Sequence, residues 1–334
     1  MTDSPARRAT MVDVARVAGV SLKTVSRVVN GVESVDPQMT ASVLDAIEQL
    51  GFRRNDVAAN LRSGSDTATI GLIIGDVTNT FYATMLAAIT AVAEEHNTLV
   101  ISASAEEDPA TQRRLAIDLC QRRVNGLIIV PAGGDHGYLD AEMRLGTPMV
   151  FIDRPPTGID ADVYLIDNRR VAREAAELLI AEGHRRFAVV LDDLAIYTMR
   201  ERLAGIEEAL DDAGIALDPD LLVTDAHNPS STAAAVRRLL ESSTPPTAYL
   251  TGNNRATVGV IEELWRDGLY ARIVGFDDFE MSHLVPRRST IVDYDIAALA
   301  RDAARQLFAR IAGATDAPRH HYQPTSFVER GLDG

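Results

Sequence analysis

Asp13-Val14-Ala15-Arg16-Val17-Ala18-Gly19-Val20-Ser21-Leu22-Lys23-Thr24-Val25-Ser26-Arg27-Val28-Val29-Asn30-Gly31 is the stretch from which the rest of the chain can be read. Val14, Ala15 and Ala18 recur at helical spacing, which gives a first short helix one face of small apolar groups. Gly19 stands where that helix must stop, because a residue without a Cβ adopts positive φ without a clash. Ser21 is a good N-cap for a second helix, its hydroxyl accepting a free backbone N–H. At roughly 100° per residue, Val25, Val28 and Val29 gather on one side of the next segment. Leu22, Lys23, Ser26, Arg27 and Asn30 gather on the other. The valines pack on the first helix, and the polar face is left for a partner. Such a pair matches a helix-turn-helix, whose second helix meets base edges in the major groove. An ordinary αα-hairpin with a solvated polar face has the same periodicity, so the pattern alone leaves both open.

The full string Asp-Val-Ala-x-x-Ala-Gly-Val-Ser-x-x-Thr-Val-Ser-Arg-Val-x-Asn-Gly resembles the N-terminal signature of the lactose-repressor (LacI/GalR) family. The resemblance puts Leu22, Lys23 and Arg27 at base-reading positions. It puts Thr10, Ser21, Thr24, Ser26 and Asn30 at positions that hold the DNA backbone and set register. Arg27 can donate two hydrogen bonds to a guanine edge, whereas Leu22 offers only apolar contact, for instance to a thymine methyl.

Bulk properties fit a soluble protein with two or three domains. The chain has 334 residues, 46% of them hydrophobic and 24% charged. No apolar run approaches the roughly 18 residues that span a bilayer, and no apolar stretch follows Arg7-Arg8 as in a signal peptide. Cys120 is the one cysteine, which rules out an intrachain disulfide, and it reads as a buried small hydrophobe on a helix. A cytoplasmic protein is expected. The net charge of −15 sits badly with phosphate binding until its distribution is considered. Residues 1–31 carry five basic against two acidic side chains, +3, so the acid lies on the body, where it discourages non-specific DNA binding.

A third helix is expected from Val35 to Gly51, with Val43, Ala46, Ile47 and Leu50 as its apolar stripe. Residues 8–54 thus form a DNA-binding head. Asn55 to Asp66 is a hinge and linker, helix-compatible but too short to be stable alone. The family resemblance makes it a hinge helix that orders when two copies meet on DNA. On that reading Leu61 wedges into the minor groove and bends the duplex, Arg62 serves phosphate, Ala58 lets two hinges approach, and Asn55 joins the DNA-contacting set. A linker leucine packed on the body is the plainer alternative.

From Thr69 onward apolar, β-rich runs alternate with helical stretches, which means α/β architecture with parallel sheets covered on both faces. The runs fall at Ile70–Ile74, Leu99–Ser102, Leu127–Val130, Met149–Ile152, Phe187–Leu191, Leu221–Val223, Ala248–Leu250 and Ile273–Val274. Their number suggests two doubly wound lobes. Asp-Val-Thr-Asn-x-Phe-Tyr (76–82), Phe-Ile-Asp-Arg (151–154), Gly-His-Arg-Arg (183–186), Arg-Leu-Ala-Gly (202–205) and Gly-Phe-Asp-Asp (275–278) extend the resemblance through the body. It implies a periplasmic-binding-protein-like pair of lobes over 67–330. Lobe 1 is expected at about 67–163 and 295–325 and lobe 2 at about 166–292, with crossings near Val163–Asn168 and Thr290–Asp295. The C-terminal helix, at 296–312, returns to the first lobe.

Ligands of such sheets sit beyond the carboxyl ends of the strands. Asp76, Asn79, Asp153, Arg154, Asp192, Asp193, His227, Asn253, Asn254 and Asp277 fall there, and Thr198 and Arg202 open a helix. These groups suit the many hydroxyls of a sugar, although Asp and Asn are also common as helix caps. The resemblance assigns effector contact to Arg202, Asn253 and Asp277, then to Phe81, Tyr82, Asp153, Thr198 and His227; Arg154 joins them, and Asp278 reads as structural. The sequence departs from the family at several points. Asn79-Thr80-Phe81 replaces Asn-Pro-Phe, Asn254 replaces an aspartate, and Phe52-Arg53-Arg54-Asn55 replaces Tyr-x-Pro-Asn. His227 stands where an aromatic often stacks on ligand, which favours a hydroxyl-rich effector over a nucleobase.

The expectation is therefore a repressor that binds a pseudo-palindromic operator as a homodimer, with pairing into tetramers left open. A solute-binding protein with the same lobes is the alternative. No cofactor is implied, because the chain has no Walker-type loop, no metal-spaced Cys/His cluster and no nucleophile elbow. His320-His321 reads as a surface pair.

Overall fold

The computed structural model describes residues 9–29, 35–50, 68–285 and 287–332. The chain divides into two compact units, residues 1–67 and 68–334. The expected hinge, with Asn55, Ala58, Leu61 and Arg62, lies outside the described residues, as does Asn30.

In the small unit, helices α1 (Met11–Ala18), α2 (Leu22–Val29) and α3 (Pro37–Leu50) surround one core. Thr10 starts α1 through a reciprocal cap. The Asp13 N–H donates to Thr10 Oγ1 at 3.3 Å, and the Thr10 N–H donates to Asp13 Oδ2 at 2.9 Å. Gly19 ends α1 at φ 67°, and Ser21 Oγ accepts the Thr24 N–H at 3.1 Å to begin α2. Asp36 accepts the N–H groups of Gln38 and Met39, and Pro37 takes the first helical position, so α3 starts two residues after the expected Val35. Val14, Val25 and Val43 are fully buried, with Met11, Ala15, Val28, Val29, Ile47 and Leu50 around them. The valines of α2 thus face inward, as the periodicity requires.

The large unit holds two six-stranded sheets. The first contains β1 (Thr69–Ile74), β2 (Leu99–Ser104), β3 (Gly126–Ile129), β4 (Met149–Ile152), β5 (Asp162–Leu165) and β11 (His320–Tyr322), in the order β11-β5-β4-β3-β1-β2. The second contains β6 (Ala188–Val190), β7 (Leu222–Val223), β8 (Ala248–Thr251), β9 (Arg272–Phe276), β10 (Ser289–Asp293) and β12 (Ser326–Arg330), in the order β12-β10-β9-β8-β6-β7. Every pairing is parallel except β10 with β12. The two orders share one doubly wound pattern, in which the first strand lies between the second and the third.

Three details differ from the expected lobes. The expected crossing at Thr290–Asp295 is largely β10, a strand of the second sheet. Val163–Leu165 belongs to β5 of the first sheet, so that crossing shrinks to residues 166–167. The chain also crosses a third time after β11, and β12 closes the second sheet, which therefore does not end at 292. Ser326-Phe327-Val328-Glu329-Arg330 is an edge strand of mixed polarity and has no continuous apolar run to reveal it. The Ile296–Ile311 helix packs on the Thr80–Glu95 helix and under β3, β4 and β5, so the return to the first lobe is observed. Cys120 is buried on the Pro109–Gln121 helix, where burial pushes its thiol up to about 11.

Candidate functional site: an interlobe cleft and an exposed helix face

A cavity of about 630 Å³ lies between the two sheets of the large unit. Each lobe supplies the residues that follow its strands. Asp76 and Asn79 follow β1, Glu106 and Glu107 follow β2, Gly133 follows β3, and Asp153 and Arg154 follow β4. From the other side come Asp192 and Asp193 after β6, His227 after β7, Asn253 after β8 and Asp277 after β9. The doubly wound order sends these strands the same way, so their carboxyl ends converge on one opening. All nine expected effector residues, Phe81, Tyr82, Asp153, Arg154, Thr198, Arg202, His227, Asn253 and Asp277, line this cavity.

Two buried arginines anchor the opposite walls. On the first lobe, Arg154 donates from Nε to Asp153 Oδ2 at 3.1 Å and from Nη1 to Glu107 Oε2 at 2.7 Å. Its Nη2 reaches Glu107 Oε1 at 3.0 Å and the Tyr82 hydroxyl at 3.2 Å. Burial opposes the charge on Arg154, but Glu107, Tyr82 and Asp153 outweigh it and hold the guanidinium above its ordinary value. Tyr82 packs edge-on against Phe81, ring centroids 5.0 Å apart, and its buried phenol is pushed well up. On the second lobe, Arg202 is 2% exposed. Its Nε donates to Asn168 Oδ1 at 2.8 Å, and its Nη1 donates to the Gly252 carbonyl and, at 3.5 Å, to Asp277 Oδ2. The guanidinium also lies 4.0 Å over the Phe276 ring. Asp277 accepts the Tyr294 hydroxyl at 3.1 Å. Burial raises the Asp277 carboxyl, and the nearby Arg202 only partly offsets this.

Asp153 and Asp277 each follow a strand in left-handed conformation, φ 74° and 63°, as do Glu106 and Glu107 at 50° and 57°. Non-glycine residues held there carry strain that surrounding contacts must sustain, a condition common at ligand sites. Thr198 is buried in the first turn of the Tyr197–Asp212 helix. Gly205 lets that helix lie against Asn168–Ala181: a Cβ on it would meet the Arg169 carbonyl oxygen at 2.0 Å. This close approach brings Asn168 within reach of Arg202.

The rim of the cleft is clasped between the lobes. The Asn254 side-chain amide donates to Asn79 Oδ1 at 2.9 Å, and the Asn79 amide donates back at 3.3 Å. Arg255 pairs with Asp76 Oδ2 at 2.6 Å and also donates to the Thr78 hydroxyl. Burial raises the Asp76 carboxyl, but the hydrogen bonds from Thr78 and the charge of Arg255 prevail and lower it.

In the small unit, Leu22, Lys23 and Arg27 are exposed on α2, opposite the buried Val25. Leu22 is 48% exposed, so its side chain is available for apolar contact with a partner.

Two family models match the chain. "Bacterial regulatory proteins, lacI family" covers residues 10–55, and "Periplasmic binding proteins and sugar binding domain of LacI family" covers residues 67–330. The chain belongs to the LacI family of bacterial regulatory proteins. It is 31% identical to catabolite control protein A of Priestia megaterium, over 87% of this chain and 90% of that protein. It is 32% identical to the ribose operon repressor of Escherichia coli, over 85% and 87%. A Lac repressor dimer bound to operator and the anti-inducer ONPF superposes with a TM-score of 0.80 at 25% identity, covering 97% of this chain and 98% of that one.

Within this LacI-family frame, several expected site residues have structural work as well. Asn253 lines the cleft and also caps the Asn254–Arg266 helix, accepting the Ala256 N–H at 2.8 Å. The hydroxyls of Ser21 and Thr24 lie 2.8 Å apart, and the Thr10 hydroxyl donates to Asp13 at 2.6 Å. His227 is held by Asp192. Asp278, read as structural, is paired with Arg330 at 2.7 Å. His321 stacks on Tyr164 at 4.4 Å, and no metal-binding group of His, Cys, Asp or Glu occurs among the described residues. The sequence reading missed Glu106, Glu107 and Arg255. The strand-end rule that found Asp153 and Asp277 applies equally to the end of β2 and would have found the first two.

Proposed function

We propose that this LacI-family regulator is a repressor whose heads read a pseudo-palindromic operator as a homodimer and whose cleft takes a small polar effector, a sugar or sugar derivative. The observation that carries the effector half is the convergence of all nine expected side chains on one cavity of about 630 Å³. Its two arginine-centred walls face a ligand with planar, paired donors and acceptors, which match adjacent hydroxyls. Leu22, Lys23 and Arg27 read bases, while Thr10, Ser21, Thr24, Ser26 and Asn30 position the backbone. Leu61 is the wedge in the central minor groove, Arg62 serves phosphate, Ala58 lets the two hinges approach, and Asn55 joins the DNA-contacting residues.

A transport binding protein would have no use for the exposed face of α2, and a binder rather than a catalyst is the reading that the kinship supports. No helix among the described residues is long and apolar enough to cross a membrane, and a cytoplasmic site of action goes with operator binding. The test is thermal-shift screening of the full chain against sugars, polyols and nucleosides. Hits are then titrated into a fluorescence-anisotropy assay on DNA from upstream of its own gene. A sugar or polyol should raise the melting temperature and change operator affinity. Stabilisation by nucleosides alone would refute the effector class, and absence of sequence-selective DNA binding would refute the reader.

A further inference from the structure

The charges of the cleft are unbalanced in a way that narrows its ligand. Seven carboxylates line it against three guanidinium groups. All three guanidiniums are already matched by the protein. Arg154 is enclosed by Asp153, Glu107 and the Tyr82 hydroxyl. Arg202 is held by Asn168, the Gly252 carbonyl and Asp277. Arg255 is held by Asp76 and Thr78. Two of the carboxylates, Glu106 and Asp193, form no ion pair among the described residues. Glu106 accepts only the Ser104 hydroxyl, at 2.5 Å, and Asp193 the Ala195 N–H, at 2.8 Å. His227 is the remaining group of the lining that can carry a positive charge, and it is committed to Asp192.

A phosphoryl group entering this cavity would have to take a cation from an existing carboxylate partner and lie near unpaired negative charge. The first is unfavourable because Arg154 and Arg202 are buried, so a carboxylate deprived of either guanidinium is left poorly solvated. The second is a like-charge repulsion that acts through solvent, because Glu106 and Asp193 are exposed, and that weakens with salt. A hydroxyl meets no such obstacle, since it donates to a carboxylate and accepts from a guanidinium edge. An ammonium group would find acceptors at Glu106 and Asp193. We infer that the cleft admits a neutral or amino-bearing carbohydrate and rejects its phosphorylated counterpart, with Glu106 and Asp193 as the specificity-determining carboxylates. The inference rests on the sugar-effector reading above and deepens it: the ligand is the form of the sugar present before a kinase or a phosphorylating uptake reaction has acted.

The test compares matched pairs on the full chain by isothermal titration: glucose with glucose 6-phosphate, ribose with ribose 5-phosphate, glucosamine with glucosamine 6-phosphate, and cellobiose with its 6′-phosphate. Inorganic phosphate serves as a bare anion. The free member of at least one pair should bind, and its phosphate should bind at least about tenfold more weakly, equivalent to about 1.4 kcal/mol. In the double variant Glu106→Gln/Asp193→Asn that ratio should shrink severalfold. A phosphate binding as well as or better than its free partner would overturn the inference and leave the sugar-effector reading standing. Failure of every sugar in both forms would overturn the reading, and the inference with it. A ratio unchanged in the folded double variant would remove Glu106 and Asp193 as the determinants.

Discussion

Arg202→Ala is the sharpest test of how the second wall of the cleft is built, because Arg202 is buried between three acceptors and an aromatic ring. Truncation leaves Asp277, itself only 8% exposed, with the Tyr294 hydroxyl as its remaining side-chain donor. Breaking a buried pair by removing one partner costs about 3–5 kcal/mol, mostly the desolvation of the charge left behind. For a unit of this size each kcal/mol lowers the melting temperature by about 2–4 °C, so a fall of roughly 10 °C is expected. The pH dependence has a definite sign. The Asp277 carboxyl is already raised by burial, and loss of Arg202 raises it further. Its protonated form is therefore favoured by folding. The associated stability is fully present below the unfolded carboxylate value near pH 4 and is lost as pH rises through the folded one. The deficit of Arg202→Ala should thus grow as the pH rises from about 4 toward neutrality. Adding Asp277→Asn should recover part of it. Differential scanning fluorimetry of the single and double variants across that range provides the assay. A loss below about 2 °C, a loss independent of pH, or a double variant no more stable than Arg202→Ala would refute the argument. Arg202→Lys keeps the charge without the planar fork, so it should retain more stability while weakening the effector response.

Arg27→Ala should abolish operator selectivity and leave the head folded, since Arg27 is exposed on α2; nuclease footprints that match wild type would remove it from the reading face. Gly205→Ala drives a Cβ into the Arg169 carbonyl and should cost about 1–3 kcal/mol by overpacking. Urea unfolding would show this as a lower midpoint at constant slope. The Asp162 carboxyl, 3% exposed, is pushed up by burial but pulled below its ordinary value by Arg310, Gln306 and the Arg319 N–H. It stabilises the fold at neutral pH and loses that contribution as pH falls through its lowered value, so Asp162→Asn should flatten the acid limb of stability while lowering the neutral plateau. Asn254→Asp removes the amide that donates to Asn79 and adds a carboxylate that competes for Arg255. It should expand the body slightly in solution, seen as a larger radius of gyration by small-angle scattering, and an identical profile would count against the clasp.

The parts of the fold legible in the sequence are those whose physics is local. The small-residue face of α1, the stop at Gly19 and the valine stripe of α2 are each set within one turn of chain, and all three stand in the structure. Buried parallel strands announce themselves as apolar runs, so β1, β3 and β4 were readable. Residues 289–293, Ser-Thr-Ile-Val-Asp, have a shorter run framed by polar ends and passed for a connection, although four of the five are buried. β12 was hidden for a different reason: its place is set by pairing with β10, a partner some thirty-odd residues away in a chain where edge strands need little apolar content. Asp153, Arg154, His227, Asn253 and Asp277 are legible by their position after strand ends, whereas Phe81, Tyr82, Thr198 and Arg202 lie on helices and rest on the family resemblance, and position alone gives none of them a role. Asn253 looks the same in sequence whether it caps a helix, lines the cavity or does both. The clasp was illegible because it joins Asp76 and Asn79 to Asn254 and Arg255, a pairing that depends on how two lobes face each other.

That clasp bears on how an effector can act. It uses only the chain's own groups, so it favours the observed arrangement of the lobes whether or not the cleft is filled. Two amide hydrogen bonds and one ion pair, the latter about one-fifth exposed on each side, together contribute about 2–3 kcal/mol after allowance for solvent. An energy of that size biases two arrangements by a factor of about thirty to a hundred and fifty, and a ligand shifts them further only by its differential affinity. A ligand that touched one wall alone would bind both arrangements equally and change nothing. The walls built on Arg154 and Arg202 belong to different lobes, and a ligand that bridges them favours whichever arrangement sets the two walls at its own span. The clasp sets the starting population, the bridging contacts set the direction of the shift, and a variant such as Asn254→Asp should therefore alter effector sensitivity without any loss of contact to the ligand itself.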